Sequence, residues 1–432
     1  MASIGRSPAG PPSDPAIDAD HGPAAGNEIS LTLGDLGAGL LDAGYAVTDV
    51  QQALCAIGTA HGRGDLTIGV LPSAILVDDP RSGRTRLMNS SGAQLTFDQV
   101  AEVAEIARAA EVGPDGLGPI RERLAAVRAR TPRLTRPIAV LGSGLMSAGI
   151  AVVFRTTWWA VALDFVLALV VGAVLVYGGR IAGLMTVLPF AAAFAVSAVV
   201  YWLAADLGLG AVTLFVVCAP LVVLIPGATI TTGVVELAAG DVVSGGGRFV
   251  SGLILWATLA VGIAAGAALT GDRTGSTTDP PTAQLAGWVS WPAVLVLAVG
   301  VGLFFDASWS LTAVLVVVLL ATYGVVALAQ TVAAGPVASG IAAAVMLPAL
   351  RLLEVLRPGW PAAVTFRPAF WLLVPGSLGL VAISRYAAGD AAPTADVLLA
   401  GVVATVVAIA VGVQIGAVLS ALIPVPRPRV AG

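Results

Sequence analysis

Residues 224–249 read LIPGATITTGVVELAAGDVVSGGGRF. A proline, six glycines, a glutamate, an aspartate and an arginine follow directly on the apolar run 211–225, where lipid offers no partner for a charge or a freed backbone group. Pro226 lacks an amide donor and Gly227 accepts unusual dihedrals, so a span arriving here is expected to break. Irregular backbone at membrane depth is tolerated only inside protein or beside water.

The rest of the chain has the composition such a reading needs. Of 432 residues 57% are hydrophobic and only 11% charged, outside the range of a soluble domain. Sixteen of the 26 acids and twelve of the 22 basic residues, all of them arginine, precede Pro137, which predicts a soluble first third and a lipid-embedded remainder. Cys55 and Cys218 lie far apart, with neither a disulfide framework nor zinc-ligand spacing. Residues 1–29, rich in Pro, Gly, Ala and Asp and without a signal-peptide core, are expected to form a disordered tail.

Residues 30–136 are expected to fold as a small cytoplasmic α+β domain. Leu33, Leu36, Leu40 and Leu41, then Val47, Val50, Leu54 and Ile57, recur at helical spacing on either side of DAGY. Short strands are expected in DLTIGVLPSAILVDD and TRLMNS, and amphipathic helices in TFDQVAEVAEIARAAEV, with Glu102, Glu105 and Arg108 on its solvated side, and in GPIRERLAAVRAR.

Ten spans are predicted, near 138–154, 160–177, 181–203, 211–225, 249–271, 286–305, 309–329, 336–350, 369–384 and 397–423. They form two five-span units, 137–271 and 286–424, joined by an extracytoplasmic linker at 272–285 and followed by a cytoplasmic tail at 425–432. Both termini are placed in the cytoplasm, because this puts seven of the ten arginines beyond Pro137 on that side. The halves share a pattern: Pro226-Gly227 and Pro375-Gly376 are each followed by AAGD twelve residues after the proline, then by VGIAAGAAL at 261 and VGVQIGAVL at 411. An odd number of spans per unit inverts the second relative to the first, the arrangement of secondary transporters.

Broken helices at matched positions expose helix-end dipoles and free carbonyls to a small zwitterion. The candidate binding residues are Pro226, Gly227, Thr229, Thr231 and Thr232 in the first half and Pro375, Gly376 and Ser377 in the second. The threonines offer hydroxyls. Candidates for proton coupling are Glu236 first, then Asp241 and Asp164, weighed against plainer roles: capping or solvating the loop at the cytoplasmic surface for Glu236, N-capping of the next helix for Asp241, and for Asp164 snorkelling to the interface. Asp306 reads as interfacial, Gln414 as glue between helices, and Gly262/Gly266 with Gly412/Gly416 as packing surfaces. GSGLMSAG at 142–149 lacks GK[ST] and a preceding strand, so it too is a packing motif. Two isolated histidines, His21 and His61, make neither a triad nor a metal site, and no enzyme, cofactor or nucleic-acid partner is expected.

LLDAGYAVTDVQQALCAIGTAHG, LIPGATITTGVVELAAGDVVSGGGRFVSG and FRPAFWLLVPGSLGL resemble the threonine/serine exporter family of bacterial secondary transporters, over about Leu33 to Leu422. The resemblance implies ten spans in the bacterial inner membrane, a cytoplasmic N-terminal domain, and proton-driven export of threonine and serine; an oligomer is compatible with it. Glu236 stands where that family leads one to expect aspartate. Two alternatives remain open: a dicarboxylate exporter of the succinate type, with Arg248 or Arg385 turned inward, and a membrane-anchored metabolite sensor.

Overall fold

The computed structural model describes residues 23–112, 117–179, 181, 183–207, 214–271, 285–333, 335–357, 359–373 and 393–422. Helices α1 (Pro23–Asp42) and α2 (Val47–Ala60) meet at a turn in which Gly44 takes φ +84°. A three-stranded antiparallel sheet follows, β1 (Thr67–Leu71), β2 (Ala74–Asp79) and β3 (Arg84–Asn89), then α3 (Phe97–Val112) and α4 (Ile120–Ala129). The periodic leucines and valines read from the sequence are its core: Leu33, Leu36, Val50, Leu54 and Ile57 are fully buried. Helix α1 starts at Pro23, inside the segment expected to be a tail, because proline is well placed in the first turn and the apolar stripe behind it pins the helix down.

The lipid-compatible part begins with α5 (Arg136–Val153), α6 (Trp158–Gly178) and α7 (Leu184–Asp206). Next come the short α8 (Leu214–Cys218) running into a 3-10 turn (Ala219–Leu224), α9 (Gly227–Ala238) and α10 (Val242–Leu269). Beyond the linker stand α11 (Ser290–Phe304), α12 (Trp309–Ala329), α13 (Gly335–Leu356), α14 (Ala362–Leu373) and α15 (Pro393–Ala421). Among the described residues seven helices are long and apolar enough to cross a membrane, eight if the bent pair Leu214–Leu224 and Gly227–Leu237 is one span. Where the ninth span was expected, α14 is described only as far as Leu373.

Small residues set the helix contacts. A methyl group on Gly149 of α5 would lie 2.8 Å from the Leu297 amide nitrogen and 2.9 Å from the Ala293 carbonyl oxygen of α11. GSGLMSAG is therefore a close-approach surface, as its lack of a phosphate-loop context implied. In the first half α7 packs on α10, with Gly262 and Gly266 against the Phe190 and Phe194 carbonyls. In the second half α13 packs on α15, with Gly412 against Gly340 and Gly416 beside Leu347. Third and fifth helices thus pair in both halves through the expected glycines.

The turns after α5 and α11 are built alike. Phe154-Arg155-Thr156-Thr157-Trp158 and Phe305-Asp306-Ala307-Ser308-Trp309 each place their second residue in the left-handed region, Arg155 at φ 59° and Asp306 at φ 53°. In each, the following amide bonds back to a carbonyl in the last turn of the helix, Thr156 to Ala151 and Ala307 to Gly302. Each turn also holds the chain that enters the other half's first helix. Arg155 Nε donates to the Leu285 carbonyl at 2.8 Å, and the Asp306 carboxylate accepts the Arg133 and Leu134 amides at 2.7 and 2.9 Å. Asp306 is thus a tether rather than an interfacial charge, while Gln414 is exposed on α15 and does not glue helices among the described residues.

Gly149→Leu is expected to destabilise the α5–α11 crossing by about 1–3 kcal/mol, since backbone occupies the space its side chain needs. Gly246→Ala, where a methyl meets nothing within 4 Å, should keep or raise stability, by up to about 1 kcal/mol, because alanine is favoured over glycine inside a helix. Thermal unfolding in detergent compares the two.

Candidate functional site

The apolar run does break where its composition said it should. The limbs Leu214–Leu224 and Gly227–Leu237 meet at 70°. Ile225 is extended, Pro226 stands at the N-cap of α9 with ψ 41°, and the Gly227 amide turns back to the Ile225 carbonyl at 2.8 Å. Pro226 and Gly227 are both buried, so the interruption faces protein and not lipid. The first limb packs on α5, α6 and α7, and the second on α10, α14 and α15.

Trp371, near the end of α14, covers the break: its ring lies 3.3 Å from where a Cβ on Gly227 would stand. A Cβ here presses on the indole, which must give by a few tenths of an ångström, a local reason for glycine. Trp371 lies near Phe305, and Phe305 stacks on Phe97 of α3 at 4.7 Å between ring centroids. A row of rings therefore runs from the N-terminal helices to the break. Leu373, fully buried in a cluster against which Val235 of α9 packs, is the last described residue before the second proline-glycine pair. Pro375, Gly376 and Ser377 themselves lie outside the described residues.

The threonines of α9 divide by face. Thr231 is buried and its hydroxyl donates to the Gly227 carbonyl at 2.7 Å, so that proton stabilises the first turn and is not free for a ligand. Thr229 and Thr232 are half-buried and, three apart, share another face with Glu236, four residues further on.

Glu236 is fully buried, not solvated at a surface. One carboxylate oxygen accepts the Val47 amide at 3.0 Å and the other lies 3.2 Å from Arg248 Nε on α10. Ala46, at the N-cap of α2, has no side chain able to cap the helix, so Glu236 supplies the cap from the membrane part, where the helix dipole also favours a negative charge. Asp241 caps α10 through the Ser244 amide at 3.0 Å. Asp164 does not reach an interface: it is fully buried on α6 and neither carboxylate oxygen has a hydrogen-bond partner.

Two further acids join the N-terminal helices to the membrane part, and neither was singled out from the sequence. Asp98 accepts the Ser308 amide and bonds Arg133 Nη1, both at 2.8 Å. Glu354, near the end of α13, pairs with Arg108 at 2.9 Å and with Arg351 at 2.7 Å. Arg108 is therefore turned toward the membrane part, not part of a free solvated face. Its spacing on α3 could show only which face it occupied, not that another element covered that face.

If Glu236 caps α2, Glu236→Ala should speed amide exchange in the first turn of α2 by roughly fivefold, the worth of one cap, while the sheet is unaffected. Hydrogen-exchange mass spectrometry of Val47–Ala60 against Thr67–Asn89 measures this.

No curated protein and no solved structure matches the chain. A family model, ThrE, described as "Putative threonine/serine exporter", matches residues 32–270, more than half of the chain. The matched region runs from α1 to the end of α10 and contains both limbs of the broken span, their buried Pro226-Gly227 corner and Glu236, and the chain belongs to this threonine/serine exporter family.

Proposed function

We propose that the chain is a secondary active exporter of small amino acids, threonine and serine, driven by the proton gradient. The observation that carries this is the buried 70° break at Pro226-Gly227, roofed by Trp371 from the other half. The first turn of α9 leaves backbone amides without intrahelical partners, and with the positive end of its dipole they suit the carboxylate of a zwitterion. Thr229 and Thr232 add hydroxyls on one face, and Pro375, Gly376 and Ser377 complete the site from the second half.

The transport path lies between two inverted five-span units of ten spans in all, with the N-terminal α+β domain and both termini in the cytoplasm of a bacterial inner membrane. Like turns after α5 and α11, like pairing of third and fifth helices, and reciprocal tethers at Arg155 and Asp306 support this symmetry. The units rock about the break, each opening exposing the same site to one face.

A dicarboxylate substrate finds less support. Arg248 is engaged by Glu236 and is not presented to the break, and Arg385 lies outside the described residues.

Purified protein in proteoliposomes is expected to catalyse counterflow of labelled threonine and serine, and accumulation of both under an imposed pH gradient, abolished by a proton ionophore. Succinate should neither compete nor be carried. Gly227→Val, which drives a branched side chain into Trp371, should abolish counterflow of both amino acids. Succinate flux with no threonine flux would contradict the reading.

A further inference from the structure

Among the described residues Asp164 is the one fully buried acid without a hydrogen-bond donor or an ion-pair partner. The other acids of the membrane part with buried side chains have partners: Glu236 holds Val47 and Arg248, Asp306 holds two amides, and Glu354 holds two arginines. Asp164 shares the buried face of α6 with Ala160, Ala168 and Val171.

The elements around it offer little charge. From α5, Ser147 donates to the backbone carbonyl of Asp164 at 3.2 Å, and the Ser143 hydroxyl lies between the Val140 and Ala168 carbonyls at 2.7 and 2.8 Å, so both hydroxyl protons go to backbone carbonyls and not to the acid. From α8, buried Cys218 lies within electrostatic reach of the carboxyl. On α7 the titratable side chain of the same buried cluster is Tyr201, and the 3-10 turn contributes apolar residues. A carboxylate charge here has neither donor nor counter-ion, and enclosing one is strongly unfavourable, whereas the neutral acid can be accommodated.

The second half shows that the fold does not need an acid at this place. With Phe154 matched to Phe305 and Trp158 to Trp309, both 151 apart, Asp164 corresponds to Leu315, which is fully buried on a helix of the same 21-residue length. Ser147 corresponds in the same way to Ala298, also fully buried. One half closes this position with hydrocarbon and the other with a carboxyl.

We infer that Asp164 is a proton-binding site that carries the coupled proton, and that the limb Leu214–Leu224 of the broken span is the cover that opens it to water. This rests on the exporter reading above. A metal cation of the sodium or calcium kind needs several oxygens around it, and Ala, Val and Cys neighbours do not supply them; a proton needs a single oxygen. The same limb leads through Ile225 into Pro226, so movement of the break and exposure of the acid are one event. When the limb opens, the carboxyl O–H bond breaks, its electron pair stays on oxygen and the proton leaves on water as hydronium. Opening to the other face lets a hydronium restore it. No redox step is involved.

Infrared difference spectra of reconstituted protein, after a pH step kept above the range in which exposed carboxylates titrate, test this without any transport. The wild type should show the carbonyl stretch of a protonated carboxyl, and that band should be lost in both Asp164→Asn and Asp164→Leu. Asp164→Leu copies the second half's own side chain and is expected to insert and fold. In proteoliposomes both variants should retain threonine counterflow and lose accumulation driven by a pH gradient. The band persisting in both variants, or gradient-driven accumulation at the wild-type level in either, overturns the assignment. A wild type that shows the band but carries no amino acid would instead overturn the exporter reading.

Discussion

Lipid supplies no hydrogen bonds, so a helix that breaks inside a membrane must be enclosed by the protein that breaks it. That constraint organises this chain. The Pro226-Gly227 corner interrupts the helical ladder and turns the Gly227 amide back to the Ile225 carbonyl, and the molecule surrounds it with α5, α6 and α7 on one limb and with α10, α14 and α15 on the other. Trp371 seals it, and the bare backbone of Gly227 lets the ring come that close. The close glycine contacts at α5–α11, α7–α10 and α13–α15 bring the surrounding helices near enough to do this, and glycine is the residue whose absent side chain permits it.

The N-terminal helices belong to the same arrangement. Their contacts are directional: Glu236 caps α2, Asp98 accepts the amide at the start of α12, and Glu354 binds Arg108. The partners sit at helix ends and turns, the parts that must shift if the two halves rock. Glu236 is the clearest case, since one carboxylate joins the far end of α9 to α2 and to α10 together. A rearrangement of α9 therefore reaches the N-terminal helices directly, and the row Phe97, Phe305, Trp371 offers a second, apolar route to the same corner.

Much of this was legible because the relevant signals are local. Leu33, Val50 and Leu54 declared their helices by spacing, the break declared itself by a proline and a glycine after an apolar run, and Asp241 declared a cap by its place before α10. What escaped depends on partners distant in sequence. By spacing alone Arg108 reads as solvated, because nothing in α3 says that Glu354 lies opposite, and Thr231 reads as available, because its bond to Gly227 exists only once α9 is a helix. The likeness of FRTTW to FDASW was present in the letters. It passes unnoticed because only Phe and Trp are shared and the residue at positive φ changes from arginine to aspartate, a change that makes sense only when one is seen to hold a carbonyl and the other two amides.

The claim beneath the whole account is that the corner at Pro226-Gly227 borders a water path open to each face in turn. Thr229→Cys, in a background carrying Cys55→Ser and Cys218→Ser, tests it with a membrane-impermeant thiol reagent applied to one side of sealed vesicles. Labelling from either side, with the favoured side reversing when the imposed pH gradient is reversed, is the predicted result. A thiol that stays unlabelled from both sides under every gradient would contradict it.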